Sequence, residues 1–517
     1  MRSIRLKNLR SLKDTGTIEI KPITLLLGEN SSGKSTFLRV FPMLKQSTEA
    51  KTKGPLLWYG RYVDFGSYTE AIGRYANGEN IELEFGVTAP SMLPYGTYRM
   101  RQIYPQAFPV KVSIRLEGSS DGATTYTRSC SLNLFGHTIT IGFDENQKVM
   151  SFLVNSSDFT RFTQKWIVGN QRLGSGSNII PVPIDLSRAG NRPIEYDMYY
   201  NSLFYILSGV LRTDLHSDVS SEQLYRIIHS LKIGQDEEML SALRDSNPSL
   251  KRWSNKVNGW TIDNPKFRAI RDLYLGIIAS SLLSACNQQI NIYTRNTKYI
   301  APLRATAERY YRFQDLATDE MDFQGRNLFL ILQNMTRNER EDFSSWTLDA
   351  FGFSVRAVQT GGHTAIKIRE KDSTHETSIA DMGFGFSQVL PILVQLWFAA
   401  SSKPSQRTNF PITFAIEQPE LHLHPRMQAR LADILYITIK KARESKVNLR
   451  LIVETHSETI INRLGLRVAQ KEIDESDLSV VIFEKRFSQE YASTSVVRYD
   501  KNGLMSDWPL GFFEAEA

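Results

Sequence analysis

Gly28-Glu29-Asn30-Ser31-Ser32-Gly33-Lys34-Ser35, followed by Thr36, has the spacing G-x-x-x-x-G-K-[ST] of a loop that wraps phosphates. Gly28 and Gly33 let backbone N–H groups turn inward, and the N-terminus of a following helix adds partial positive charge at the same anion. In such a loop the Lys34 ammonium reaches the β- and γ-phosphates of a nucleoside triphosphate. The Ser35 hydroxyl ligates Mg²⁺, and Asn30, Ser31, Ser32 and Thr36 complete the cradle.

Three further stretches could act on the same phosphates. Thr413-Phe414-Ala415-Ile416-Glu417-Gln418-Pro419-Glu420 is an apolar strand that delivers acidic groups at its C-terminal end. Ligands of open parallel sheets bind beyond that end, so Glu417 is the candidate Mg²⁺ carboxylate and its neighbours could orient the attacking water. Leu451-Ile452-Val453-Glu454-Thr455-His456-Ser457 is a second such strand, whose His456 could bond a phosphate oxygen or the attacking water. A lone histidine is more often structural; following the acidic strand, His456 reads as functional. Asp381-Met382-Gly383-Phe384-Gly385-Phe386-Ser387-Gln388 precedes an apolar helix, and Gly385 and Ser387 at a helix start form another anion site.

These motifs need an α/β scaffold. The apolar run Ile23 to Leu27 reads as the strand before the loop and Lys34 to Lys45 as the helix after it. Residues 60 to 165 hold strand-like runs separated by Gly, Asp, Asn and Ser, an antiparallel β-rich lobe. From Glu195 to Leu283 the period is helical, without heptads long enough for a coiled-coil arm. After residue 378 the pattern is α/β again, with a helix over Ser387 to Ala400, strands over Ile412 to Glu417 and Leu449 to Val453, a helix over Arg426 to Glu444, and strand-like runs near Val480 and Val496. The expected fold is thus a phosphate-loop core split in sequence. Residues 1–165 carry the loop and β-rich lobe, 166–377 a mostly helical insertion and connection, and 378–517 the remaining motifs.

The order of the motifs resembles that of ATP-binding-cassette ATPases. More closely, the chain is similar to bacterial AAA ATPases of the overcoming-lysogenization-defect and RecF-like group, on Asp381 to Pro391, Glu417 to Pro425 and Glu454 to Glu458. Tyr299-Ile300-Ala301-Pro302-Leu303-Arg304, Arg309-Tyr310-Tyr311 and Trp508 to Phe513 look like the branch that includes the ATPase subunit of Septu-type anti-phage defence systems, some attached to retrons. The resemblance covers residues 1 to 70 and 297 to 517. It implies ATP and Mg²⁺ as cofactors, Gly385 and Ser387 completing the site of a facing copy, and a homodimer or higher homo-oligomer. It also implies a separate small HNH-type nuclease as partner and, for retron-attached members, a reverse transcriptase and nucleic acid. A RecF-like DNA-repair clamp is the competing reading; the stretch after His456 is too short for the Toprim nuclease of overcoming-lysogenization-defect proteins. One departure stands out. Cassette ATPases usually end the acidic strand in Asp-Glu, and here Glu417-Gln418 stands there. Gln418 can orient water but cannot take its proton, which predicts slow hydrolysis and leaves Glu420 as a candidate base.

The bulk composition fits a globular protein: 517 residues, 41% hydrophobic and 23% charged. Sixty-two Lys and Arg against 55 Asp and Glu give a net charge of +7, compatible with nucleic acid without requiring it. Cys130 and Cys286 form neither a disulfide framework nor a thiolate metal site. Without a run of apolar residues long enough for a membrane span or an N-terminal signal pattern, the expected location is the cytoplasm. His422, His424 and His456 lack the spacing of a zinc site. Tyr196, Tyr199, Tyr200, Phe204 and Tyr205 read as core, and Arg304, Arg309 and Arg312 as a basic cluster, either solvated or in contact with phosphate or a partner.

Overall fold

The apolar run Ile23–Gly28 is buried throughout, and burial on both faces is what a central strand of a parallel sheet requires. The computed structural model describes residues 1–95, 99–120, 124–168, 178–185, 202–215, 220–246, 250–312, 316, 320–360, 362–401, 411–485 and 489–505. In it Ile23–Gly28 lies inside a six-stranded sheet ordered Thr297–Ile300, Ile412–Glu417, Leu449–Glu454, Ile23–Gly28, Leu478–Glu484, Ser493–Val497. All neighbours are parallel except the last pair. The alternation of the strand divides its side chains between two cores. Ile23, Leu25 and Leu27 pack with residues of the helices Phe384–Ser401, Pro425–Glu444 and Glu458–Ala469, whereas Leu26 packs with Phe37 and Phe41 of the helix Lys34–Glu49.

A second, antiparallel sheet forms the β-rich lobe. Its order is Ser157–Asp158, Val149–Val154, His137–Phe143, Thr125–Leu134, Phe108–Gly118, Ile81–Ala89, Ser3–Leu9, Leu12–Asp14, with Ile18–Glu19 also on Ser3–Leu9. Ile81–Ala89 alternates buried and half-buried residues, the mark of a sheet with one covered face. The cover is the helix Pro265–Arg295, which also packs along Lys34–Glu49, so two helices are stacked between the sheets. Asn264 starts the long helix by accepting the Lys266 and Phe267 N–H groups, with Pro265 at a position where the missing N–H costs nothing.

The segment 166–377 is less of an insertion than the helical period predicts. Thr297–Ile300 is an edge strand of the six-stranded sheet, pairing in parallel with Ile412–Glu417. Tyr311–Arg312, Phe353–Thr360, His363–Glu370 and Thr377–Ser378 build a small antiparallel sheet belonging to the second core. A four-residue strand containing Thr297 and Lys298 has too little apolar alternation to declare itself. Pro265–Arg295 and Phe384–Ser401 are long and apolar enough to cross a membrane by composition, but most of each is buried against the rest of the protein. Of the aromatic run, Phe204 is buried and Tyr205 exposed; Tyr196, Tyr199 and Tyr200 lie outside the described residues, as does Trp508 to Phe513.

Candidate nucleotide-binding site

The loop Glu29 to Gly33 leaves the carboxyl end of a strand flanked by two parallel neighbours, the position where open α/β sheets bind ligands. Its glycines are required sterically. Gly28 has φ 149°, and a Cβ there would lie 2.2 Å from the Phe483 carbonyl oxygen; at Gly33, φ 100°, it would lie 2.6 Å from Leu12 Cδ2. Ser31 adopts φ 63°, a left-handed turn without glycine's freedom. Asn30 and Ser31 are exposed, Thr36 is half-buried, and the buried Ser32 hydroxyl has no protein partner. Lys34 Nζ donates to the Gly28 carbonyl at 2.9 Å and to that of Glu29. Burial holds its pKa below the ordinary lysine value, partly offset by Glu454, Glu29 and Glu420.

Three buried carboxylates stand beside the loop, and they have different partners. Sequence reading gives Ser35 and Glu417 jointly to the metal, but Ser35 Oγ donates to Glu454 Oε1 at 2.7 Å. Glu417 is gripped by Arg39 through Nε to Oε1 at 2.7 Å and Nη2 to Oε2 at 2.8 Å, and the Tyr299 hydroxyl donates to Oε1 at 2.8 Å. The reason is register. Leu449–Glu454 lies between the loop strand and the acidic strand, with Glu454 opposite both Leu26 and Glu417. Glu454 therefore meets the first turn of the loop helix, and Glu417, one strand farther out, meets Arg39 one turn later. Burial raises the Glu454 pKa to about 7, against the Ser35 hydrogen bond. The motif spacing assigns Glu454 no role; its role follows from the strand order, which motif spacing does not reveal.

Gln418 has φ 39° and donates its N–H to the Glu454 carbonyl at 2.9 Å, so the turn after the acidic strand is tied back to the neighbouring strand. The same turn carries Glu420 inward, where its Oε1 accepts the His456 N–H at 2.7 Å. Burial pushes the Glu420 carboxyl above the ordinary glutamate value, with the His456 amide and Arg304 pulling the other way. The exposed His456 imidazole is held below its usual pKa by partial desolvation and the nearby Lys34 charge. His424 caps the helix Pro425–Glu444, its Nδ1 accepting the Arg426 N–H at 3.3 Å, and His422 stacks edge-on with Phe384 at 4.9 Å.

Gly385 and Ser387 sit apart from this group. The apolar helix begins at Phe384, so Ser387 is inside its first turn and not at its start. It is 5% exposed and lines a cavity of about 280 Å³ with Ala305, Glu308, Tyr311 and Leu328. The apolar residues that follow drive the helix into the core and carry Ser387 with them. A Cβ on Gly385 would lie 3.1 Å from the His422 carbonyl oxygen, so this helix start rests on the turn after the acidic strand. Among the described residues, no hydrogen bond or ion pair joins Gly383 to Gln388 with Gly28 to Thr36. The predicted basic cluster also disperses. Arg309 pairs with Asp381 and Arg312 is exposed, whereas Arg304 is 4% exposed. Arg304 donates from Nη2 to the Glu417 carbonyl at 3.0 Å, and the Gln388 side chain bonds both its N–H and its carbonyl, at 3.1 and 3.2 Å. Burial pushes its pKa down to about 10.

These groups fit a magnesium nucleotide. The loop has glycines where a Cβ would clash, a lysine and a helix N-terminus supply positive charge, and Ser35 with Glu454 offers hard oxygen donors to a cation. The Glu454 Oε2 and Ser32 Oγ atoms, buried without protein partners, are consistent with a polar ligand.

Residues 1–85 match the family described as "AAA ATPase domain", and residues 232–462 match "AAA domain, putative AbiEii toxin, Type IV TA system". No curated protein matches the chain. Among solved structures it is similar to an Smc head bound to the C-winged helix domain of ScpA, at 11% identity over 97% of this chain and 98% of that one, TM-score 0.35. An Smc head domain with an extended coiled coil bound to the C-terminal domain of ScpA, derived from Pyrococcus furiosus, gives 12% identity over 96% of each chain, TM-score 0.33. The SMC head domain from Thermotoga maritima gives 10% over 96% of this chain and 98% of that one, TM-score 0.32. The two family matches take in the phosphate loop, the acidic strand and the His456 strand, and the chain is an ATPase with a phosphate-loop α/β fold.

Proposed function

We propose that this chain is the nucleotide-controlled subunit of an anti-phage defence complex, in which two copies close on two Mg-ATP molecules and closure governs a separate small HNH-type nuclease. The observation that carries the nucleotide part is the convergence of Lys34, Ser35, Glu454, Glu420 and His456 at the carboxyl ends of the central strands of the parallel sheet. Lys34 binds and neutralises the transferred phosphate, and Glu420, fixed by the His456 amide, is the candidate acceptor of the attacking water's proton. Ser35, with Glu454 behind it, would hold Mg²⁺, which would supply charge stabilisation to the transferring phosphate. Gln418 orients water without accepting its proton, which favours a slow cycle suited to timing more than turnover.

The exposed start of this helix, Gly383 and Phe384, having no bond to the loop of its own chain among the described residues, is the candidate surface for a second copy's nucleotide, with Ser387 buried behind it. The defence role rests on the resemblance of Tyr299 to Arg304, Arg309 to Tyr311 and Trp508 to Phe513 to Septu-type ATPases, and a retron's reverse transcriptase and nucleic acid are further partners it implies. Purifying the chain with the products of its neighbouring genes, with and without ATP, tests the reading. A small HNH protein that stays bound and changes activity with nucleotide supports it, and neighbours of recombination type with no nuclease bound contradict it.

A further inference from the structure

Glu454 is joined to the loop by a bond that fixes a proton. The Ser35 hydroxyl donates to Glu454 Oε1 at 2.7 Å, and a hydroxyl whose hydrogen is committed to a carboxylate presents its lone pairs elsewhere, as a cation ligand must. The strand holds this geometry: the Glu454 carbonyl accepts the Gln418 N–H at 2.9 Å, and the next residue, Thr455, donates its N–H to the Leu26 carbonyl at 3.1 Å. Glu454 is 2% exposed, and its Oε2 is buried without a hydrogen-bond partner. A buried carboxylate oxygen with no donor is costly unless positive charge arrives beside it.

The alternative carboxylate is already committed. Both Glu417 oxygens accept from Arg39, one also accepts from Tyr299, and a carboxylate neutralised by a bidentate guanidinium is a poor partner for a dication. We infer that Glu454 is the carboxylate serving the divalent cation of the bound nucleotide, by orienting the Ser35 hydroxyl and supplying the complementary negative charge, while Glu417 locks Arg39 to the acidic strand. This rests on the nucleotide-binding reading above. It makes Glu454 a positioning residue, which acts on the metal through Ser35.

The test compares affinities of the full chain for a fluorescent non-hydrolysable ATP analogue with Mg²⁺ and with EDTA, in wild type, Glu454→Gln, Glu454→Asp and Glu417→Gln. Wild type gains affinity from Mg²⁺. In Glu454→Gln that gain falls by about tenfold or more, whereas the EDTA affinity stays near wild type, because supporting partners of metal ligands typically contribute that much to metal affinity. Glu454→Asp, which keeps the charge on a shorter stem, recovers part of the gain. If Glu454→Gln melts below the assay temperature, Glu454→Asp carries the test: a reduced gain supports the inference and a wild-type gain overturns it. A full Mg²⁺ gain in folded Glu454→Gln, or its loss in Glu417→Gln alone, overturns the assignment to Glu454. Failure of wild type to bind the analogue under either condition removes the nucleotide reading itself, a different result from any of these.

Discussion

At the residue scale, the proposed function has Glu420 and Gln418 divide what a single glutamate does in most cassette ATPases. Gln418 stands at the usual position but carries no base, and the turn it makes at φ 39° brings Glu420 inside, onto the His456 amide. Glu420→Gln should therefore lower turnover by about 10²-fold or more with analogue binding retained, as expected for loss of a general base. If Glu420 is the base it works ionised, and burial raises its pKa, so the rate should fall as pH drops, along a limb lying above the ordinary glutamate range. A pH profile flat through that region, or full turnover in Glu420→Gln, places the base elsewhere. Lys34→Ala should abolish analogue binding or hydrolysis, since no other lysine or arginine donates to the loop carbonyls among the described residues. The loop was legible in the sequence because its spacing alone defines it, whereas the acidic strand and His456 could be picked out only from apolar runs ending in polar residues and from their order after the loop. Glu454 was not, because its importance comes from which strand lies beside which.

At the element scale, the helices outside the parallel sheet are tied by charge as well as by apolar contact. Asp433 of Pro425–Glu444 accepts from Arg463 at 2.9 and 2.7 Å and from Arg467 at 2.8 Å, both on Glu458–Ala469. Burial alone would raise the Asp433 pKa, but the two guanidinium groups hold it below the ordinary aspartate value. A carboxyl depressed in the folded state stabilises it above the unfolded pKa, near 4, and this contribution is lost as pH falls through the lower folded value. Asp433→Ala should cost about 1–2 kcal/mol near neutral pH, read from denaturant melts, and the difference from wild type should shrink in acid. The helix Phe384–Ser401 teaches the opposite lesson about reading elements. Gly-Phe-Gly before a serine suggests a capped start, yet the apolar run behind it draws the helix three residues farther and buries Ser387. Ser387→Arg should consequently lower the melting temperature, because it forces a charge into the cavity beside Leu328 and Tyr311. An unchanged melt would show that the side chain escapes to solvent.

At the scale of the whole molecule, the split core is closed by long-range pairing. The loop strand at residues 23–28 lies between strands more than 400 residues later, and Ser35 bonds Glu454 across that separation. Arg39, Glu417, Arg304 and Gln388 then link the loop helix to the helix carrying Gly385 and Ser387, through an ion pair and backbone hydrogen bonds. This path could carry a change at the phosphates to the surface around Gly383. That surface is open: Gly383 is exposed, and a Cβ there would meet nothing within 4 Å. A bulky charge at Gly383 should thus leave the fold intact and obstruct a facing copy, which Ser387→Arg cannot do cleanly.

The most direct measurement is the mass of the chain in solution with and without a non-hydrolysable ATP analogue and Mg²⁺, for wild type, Lys34→Ala and Gly383→Arg. Shared sites predict that the analogue doubles the wild-type mass, that Lys34→Ala does not respond, and that Gly383→Arg binds analogue without doubling. A wild-type chain that binds the analogue and keeps the mass of one copy would contradict a nucleotide held between two copies.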